Sequence, residues 1–176
     1  DLGPPVAQSG ARPASRALVL SAIDADPPLD STRQWYRLDY ADARHLRAYS
    51  LSRWSAPPAQ LVRQRLKARL SRHYVVLDAA PSPPSDPGHG PAPWLLRLAL
   101  EEFAQRFEAP ATSRGRLRLV ATLWHMRFQG ERLLSRKTFD VAQTASTPDA
   151  AGGAQALAAA VDTVSEAVLS WLQSTD

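Results

Sequence analysis

The chain has 176 residues and 44% hydrophobic content, enough for one domain with a sizeable core and too much for wholesale disorder. It has no cysteine, which excludes disulfides, thiol catalysis and Cys-ligated metals. No apolar run approaches the length of a membrane-spanning helix. The 21 basic and 17 acidic residues leave a net charge of +4. The two signs are separated along the chain. Between Asp42 and Asp78 stand eight bases (Arg44, Arg47, Arg53, Arg63, Arg65, Lys67, Arg69 and Arg72) and no acid, whereas from Thr138 onward there are five acids and no base. A basic segment of this kind suits nucleic acid, anionic headgroups or an acidic partner, or simply gives a helix a solvated face.

Residues 1–16 are rich in Pro, Gly, Ser and Ala, have no hydrophobic period and read as an extended arm. Residues 17–24 form a short apolar run before Pro27-Pro28, which predicts a strand. Residues 34–40 alternate, with Trp35, Arg37 and Asp39 against Tyr36, Leu38 and Tyr40, and predict a strand with one face buried. Residues 46–51 are its expected partner, reached by a turn around Asp42–Arg44. Pro57 suits the first turn of a helix, with Ser55 as the expected cap. That helix runs to about Arg72. Ala59, Val62, Leu66 and Leu70 mark its core face, and Arg63 and Lys67 are expected to point away from it. Residues 73–78 form a short β-rich run.

Residues 79–93 form a Pro/Gly-rich loop that cannot be helical. A long strand then runs from Trp94 to Phe107. Its alternation changes phase at Glu101-Glu102, which predicts a bulge. Residues 116–126 and 131–142, joined by a turn at Gln129-Gly130, complete an antiparallel meander. In residues 147–174, Leu157, Val161, Val164, Val168 and Trp171/Leu172 recur at helical spacing, and Thr147 or Asp149 is the expected cap. Gly152-Gly153 weakens the first turns, so the stable helix is expected to begin later. The fold class that follows is α+β: an antiparallel or mixed β-sheet with two main helices packed on one face, in a single domain at 17–176 behind an N-terminal tether at 1–16.

Local motifs for catalysis are missing. His45, His73, His89 and His125 show no ligand-like spacing to one another or to carboxylates, so no metal is expected. His125, beside Trp124 in an apolar strand, reads as a partly buried residue. Glu101 and Glu102 are strand neighbours, which places them on opposite faces and unfit to act together. No nucleophile elbow and no phosphate loop is present. Neither a cofactor nor an enzymatic activity is expected. A nucleic-acid-binding module is the rival reading, resting on the basic helix, but Trp35, Tyr36 and Tyr40 are already explained as core or half-core. Arg53-Trp54 at the helix entry reads as a hydrophobic staple or as part of a docking patch.

The ordered set of Leu2-Gly3-Pro4, the strand at 18–23, Tyr36-Arg37-Leu38-x-Tyr40, Tyr49, Arg53-Trp54 followed by Pro57, Leu61, Arg65-Leu66, Leu70, Leu100-Glu101-Glu102-Phe103 with Phe107, and an Ala/Val-rich final helix resembles the ABC-type transport auxiliary lipoproteins. The 79–93 loop matches no motif of that family. The resemblance implies a non-enzymatic periplasmic protein, anchored to the outer membrane by lipid on a Cys upstream of this sequence. It implies an MCE-domain protein, an ABC permease and an ATPase as partners, no nucleic acid, and a role in lipid transport; since the expected core uses nearly all the large apolar residues, that role is expected to be a scaffold's more than a lipid carrier's. Arg53, Trp54, Arg63 and Lys67 are the candidate partner-binding residues. Reversing the charge of Arg63 and Lys67 is expected to weaken partner binding without loss of fold. Segment 44–72 and the acidic end of the chain also suit head-to-tail pairing in a homo-oligomer.

Overall fold

The computed structural model describes residues 16–79, 92–127 and 130–175. Seven strands form one mixed sheet: β1 (Ala17–Ala25), β2 (Arg33–Leu38), β3 (Ala43–Arg53), β4 (Val75–Leu77), β5 (Trp94–Ala109), β6 (Thr112–Arg127) and β7 (Gly130–Thr144). A single helical turn, α1 (Asp39–Asp42), joins β2 to β3, and α2 (Pro58–Leu70) and α3 (Ala150–Thr175) are the main helices. The α+β reading, with both helices on one sheet face, is the observed architecture. The expected strand at 34–40 stops at Leu38, because residues 39–42 close into the turn α1.

The 16-residue strand β5 organises the sheet. One of its edges pairs antiparallel with β6 along nearly its full length, and β6 pairs antiparallel with β7, giving the expected meander. Its other edge serves two strands in succession, both parallel to it. β1 pairs from Leu18↔Trp94 to Ala25↔Leu100, and β2 pairs from Tyr36↔Gln105 to Leu38↔Phe107. Pro27 and Pro28, which have no N–H to give to a ladder, sit in a 3-10 turn at Pro27–Asp30 between these two pairings. β4 flanks β1 in parallel, and β3 flanks β2 antiparallel.

The core lies between the sheet and the two helices. Val62, Leu66 and Leu70 of α2 and Leu157, Val161, Val164 and Val168 of α3 meet Leu18, Leu20, Leu96, Leu98, Leu100 and Phe103 of the sheet. α2 begins at Pro58 with Pro57 in the cap position and no side-chain cap bond, so Ser55 does not cap it. Pro57 accepts there through its carbonyl, from the N–H groups of Gln60 and Leu61.

Asp149 does cap α3: its Oδ1 accepts the Gly152 N–H at 2.8 Å and the Thr147 hydroxyl at 2.8 Å. The helix therefore starts at Ala150 and includes both glycines, earlier than expected. The glycines are also needed by space. A Cβ on Gly153 would stand 2.0 Å from Gln105 Oε1, and one on Gly115 of β6 would stand 2.6 Å from the Leu157 backbone nitrogen. Helix and sheet thus approach at backbone distance where these glycines cross.

The two buried glutamines fix this crossing. Gln105 Nε2 donates to Ser113 Oγ (2.8 Å) while its Oε1 accepts the Tyr49 hydroxyl (2.8 Å). Gln34 Nε2 donates to the Ala150 carbonyl (2.6 Å) while its Oε1 accepts the Ser52 hydroxyl (2.7 Å). A buried amide with both ends paired escapes the desolvation cost of an unpaired one. Burial, with Tyr36 and Asp149 nearby, pushes the Tyr49 phenol up to about 12, so it remains a donor at neutral pH.

Gly115→Ala is expected to destabilise the domain by about 1–3 kcal/mol, because the new methyl meets helix backbone, which cannot move aside. Urea denaturation followed by circular dichroism measures this, and a loss below the error of the fit would contradict the close approach.

Candidate functional site

The basic segment and the acidic end of the chain meet inside the fold. Arg65, almost fully buried, faces Asp162 of α3 at 3.1 Å, and Arg69 pairs with Glu166. These contacts bind α2 to α3 within one chain, so two of the bases and two of the acids considered for head-to-tail pairing between copies are engaged here.

Arg63 does not point away from the fold. Its guanidinium donates to the Leu20 and Ser21 carbonyls of β1 (2.8 and 3.0 Å) and to Asp78 (2.9 Å). Lys67 reaches the same carboxylate at 2.7 Å. Hydrogen bonds from Lys67 and Arg63 hold the Asp78 carboxyl below the usual carboxylate range. Trp54 is 6% exposed and packs on Phe103 with ring centroids 5.4 Å apart, while its backbone N–H donates to the Thr32 carbonyl. Arg53, its neighbour, is exposed at the end of β3.

The open sheet face carries a lattice of ion pairs. Arg106 grips Asp39 with two bonds (2.8 and 3.0 Å) and reaches Glu102 at 3.1 Å. Arg116 joins Glu102 (3.4 Å) to Asp140 (2.7 Å), and Arg118 pairs with Glu101 (2.8 Å). Arg116 and Arg118, two apart on β6, share a face, so Glu101 and Glu102 share it as well. The register shift between Leu100 and Glu102 turns them to the same side, which corrects the expectation of opposite faces. Their charges are nevertheless spent on arginines. Asp39, Arg106, Glu108, Arg114, Arg116 and Asp140 line an open groove of about 340 Å³ along this lattice. Among the described residues, no group of three His, Asp or Glu could hold a metal ion. Burial and the cations of Arg127, Arg16 and Arg132 lower the His125 pKa, and His89 lies outside the described residues.

Part of the positive charge makes no ion pair among the described residues, at Arg127, Arg132 and Arg136 of β6 and β7 and at the β2–β3 edge. Along β2 and the outermost strand β3, the side chains of Arg33, Arg44, Arg47 and Arg53 make no ion pair among the described residues. Arg33 and Arg53 are direct cross-strand partners. Between that pair and Trp35↔Ala48, one residue of β2 faces four of β3, and this wide bulge carries Leu51 at 100% exposure. Tyr49 and Ser52 turn inward from the same bulge to the two glutamines. The sequence marked Arg53 and missed the rest of this edge. Its only local sign was the run of unpartnered bases at 44, 47 and 53.

Protein XCC0632 from Xanthomonas campestris has the same fold at 22% identity, with a TM-score of 0.72 over 90% of this chain and 84% of its own. A second solved structure, of an uncharacterised protein, is similar with a TM-score of 0.68 at 16% identity, over 92% of this chain and 94% of its own. No curated protein matches the chain. The family model described as ABC-type transport auxiliary lipoprotein component matches residues 1–168.

The double reversal Arg63→Glu with Lys67→Glu is now expected to lower stability by about 1–2 kcal/mol through the lost bonds to β1 carbonyls. A thermal melt checks this, and an unchanged Tm would return both residues to the solvated face.

A second expectation concerns acid. The Arg116 guanidinium depresses the Asp140 carboxyl, and the Gly152 N–H depresses that of Asp149. Each contributes stability that is fully present above the ordinary value of 3.8 and is lost as pH falls through its lower folded value. His125, whose lowered pKa makes the folded chain resist protonation, should take some stability away as pH falls below its ordinary 6.5, and the two carboxylates should add a further fall in denaturant midpoint below 3.8. Midpoints that stay level below pH 3.8 would contradict the carboxylate contacts.

Proposed function

The chain is a member of that family, an auxiliary lipoprotein component of ABC-type transport systems, and we propose that it serves there as a non-enzymatic adaptor that works by protein–protein binding. In this reading lipid on a Cys upstream of residue 1 holds it in the periplasm at the outer membrane. It binds an MCE-domain protein that works with an ABC permease and ATPase to move lipid between membranes. No helix among the described residues is long and apolar enough to cross a membrane, so the proposed anchor is the lipid.

The observation that supports the adaptor role is the contrast between two sets of arginines. Arg63, Arg65 and Arg69 of α2 and Arg106, Arg114, Arg116 and Arg118 of the sheet are engaged by acids of their own chain, while Arg33, Arg44, Arg47 and Arg53 of the β2–β3 edge make no ion pair among the described residues and stand beside the exposed Leu51. Arg53 belongs to that edge. Trp54 anchors the end of β3 into the core, and Arg63 and Lys67 hold α2 against β1 and Asp78. In this reading Trp54, Arg63 and Lys67 serve the fold, and Arg53 is the one of the four that offers its charge to a partner.

The test is a pull-down from detergent-solubilised membranes with the full-length lipidated protein as bait, read by mass spectrometry. Recovery of an MCE-domain protein together with its permease and ATPase is expected. Recovery of none of them, with the protein found in the cytosol, would remove the adaptor reading and favour the nucleic-acid alternative.

A further inference from the structure

Like charges directly opposite one another on neighbouring strands are destabilising. Arg33 and Arg53 stand in that relation, and no acid among the described residues pairs with either. The same edge exposes Leu51 completely. The wide bulge of β3 thus sets this like-charged pair beside an apolar knob.

We propose that the edge formed by Arg33, Arg47, Leu51 and Arg53 is the docking site for an acidic, extended segment of a protein partner. The proposal rests on the adaptor reading and gives the chemistry of what the adaptor binds. Carboxylates would sit between Arg33 and Arg53, where two planar guanidinium groups can each take a carboxylate in a two-bonded fork. Gln34 turns to the helix side, so Arg33 and its partner Arg53 stand on the open face, whereas Arg47, opposite Tyr36, flanks the edge on the other. An extended segment lying along the edge is met by cations on both sides.

Leu51 would enter an apolar recess of the partner. β3 ends the sheet, so its outer edge offers backbone N–H and C=O groups to a further strand, which a polypeptide can use in register. A lipid surface could use the cations but not that ladder. The edge is held firm for this purpose: Tyr49 and Ser52 fasten the bulge to Gln105 and Gln34, and Asp39 in the β2–β3 turn is gripped by Arg106.

The test uses a short fluorescein-labelled peptide of alternating Glu and Val, its Gln-for-Glu counterpart, and vesicles of phosphatidylcholine with phosphatidylglycerol. In fluorescence anisotropy at low salt, the full chain should bind the acidic peptide about tenfold more tightly than the neutral one. Arg33→Glu should weaken that binding about tenfold. The same substitution should raise Tm by about 2 °C, since it replaces a repulsive cross-strand pair with an attractive one. Loss of binding together with a gain in stability is the signature of a site, because a structural arginine would give the opposite sign in the melt. Equal binding of the two peptides, an unchanged affinity in the variant, or a fall in Tm would overturn the proposal. So would vesicle binding that the variant loses while the acidic peptide does not bind. In the membrane pull-down, equal recovery of the transporter by Arg33→Glu and wild type would overturn this edge and leave the adaptor role standing. Recovery of no transporter component by wild type would strike the adaptor role itself.

Discussion

Nearly every feature of this domain depends on one long strand. Among the described residues β5 is the only strand that pairs with three others, and the bulge at Glu101 decides which of its side chains meet the helices on either side of that point. Before the bulge, Leu96, Leu98 and Leu100 face the core; after it, Phe103 and Gln105 do. Without the extra residue the second half of β5 would present Glu102, Ala104 and Arg106 to the helices, and the charged lattice would be buried. The inserted residue therefore keeps the core apolar at one end and lets Gln105 reach the β3 bulge at the other.

About half of the basic side chains among the described residues are engaged by acids of their own chain. The basic α2 and the acidic α3 lie side by side, and the sheet's open face alternates arginine with carboxylate. Exposed pairs of this type contribute little individually. Their larger effect is on availability: a guanidinium already held by two acids has few donors left for a partner. The net positive charge of the sequence is therefore a poor guide to where binding happens. The arginines without acids give a better one.

The periodicities carried much of the fold. The phase change at Glu101 and the four-and-three spacing from Leu157 to Leu172 each reported a local fact about burial, whereas the alternation in residues 34–40 marked a strand that ends at Leu38 and in which residues 35–38 are all half-buried. What the sequence could not convey was non-local. Gly152 and Gly153 looked like weak points of a helix, and only the sheet beneath them reveals the space they leave for Gln105. Arg63 looked solvent-facing on a helical wheel because the β1 carbonyls it reaches are more than forty residues away in the chain. The open edge was equally hidden, since it is defined by which arginines find an acid in three dimensions.

The parallel pairing of β1 has a mechanical consequence. β1 lies between β4 and β5 and is parallel to both. A pull on the chain at the start of β1, directed along the strand, would load both ladders in shear, so that many hydrogen bonds must yield together. Detaching the same strand sideways would break them one at a time. A domain hung from that end would resist extension through its geometry.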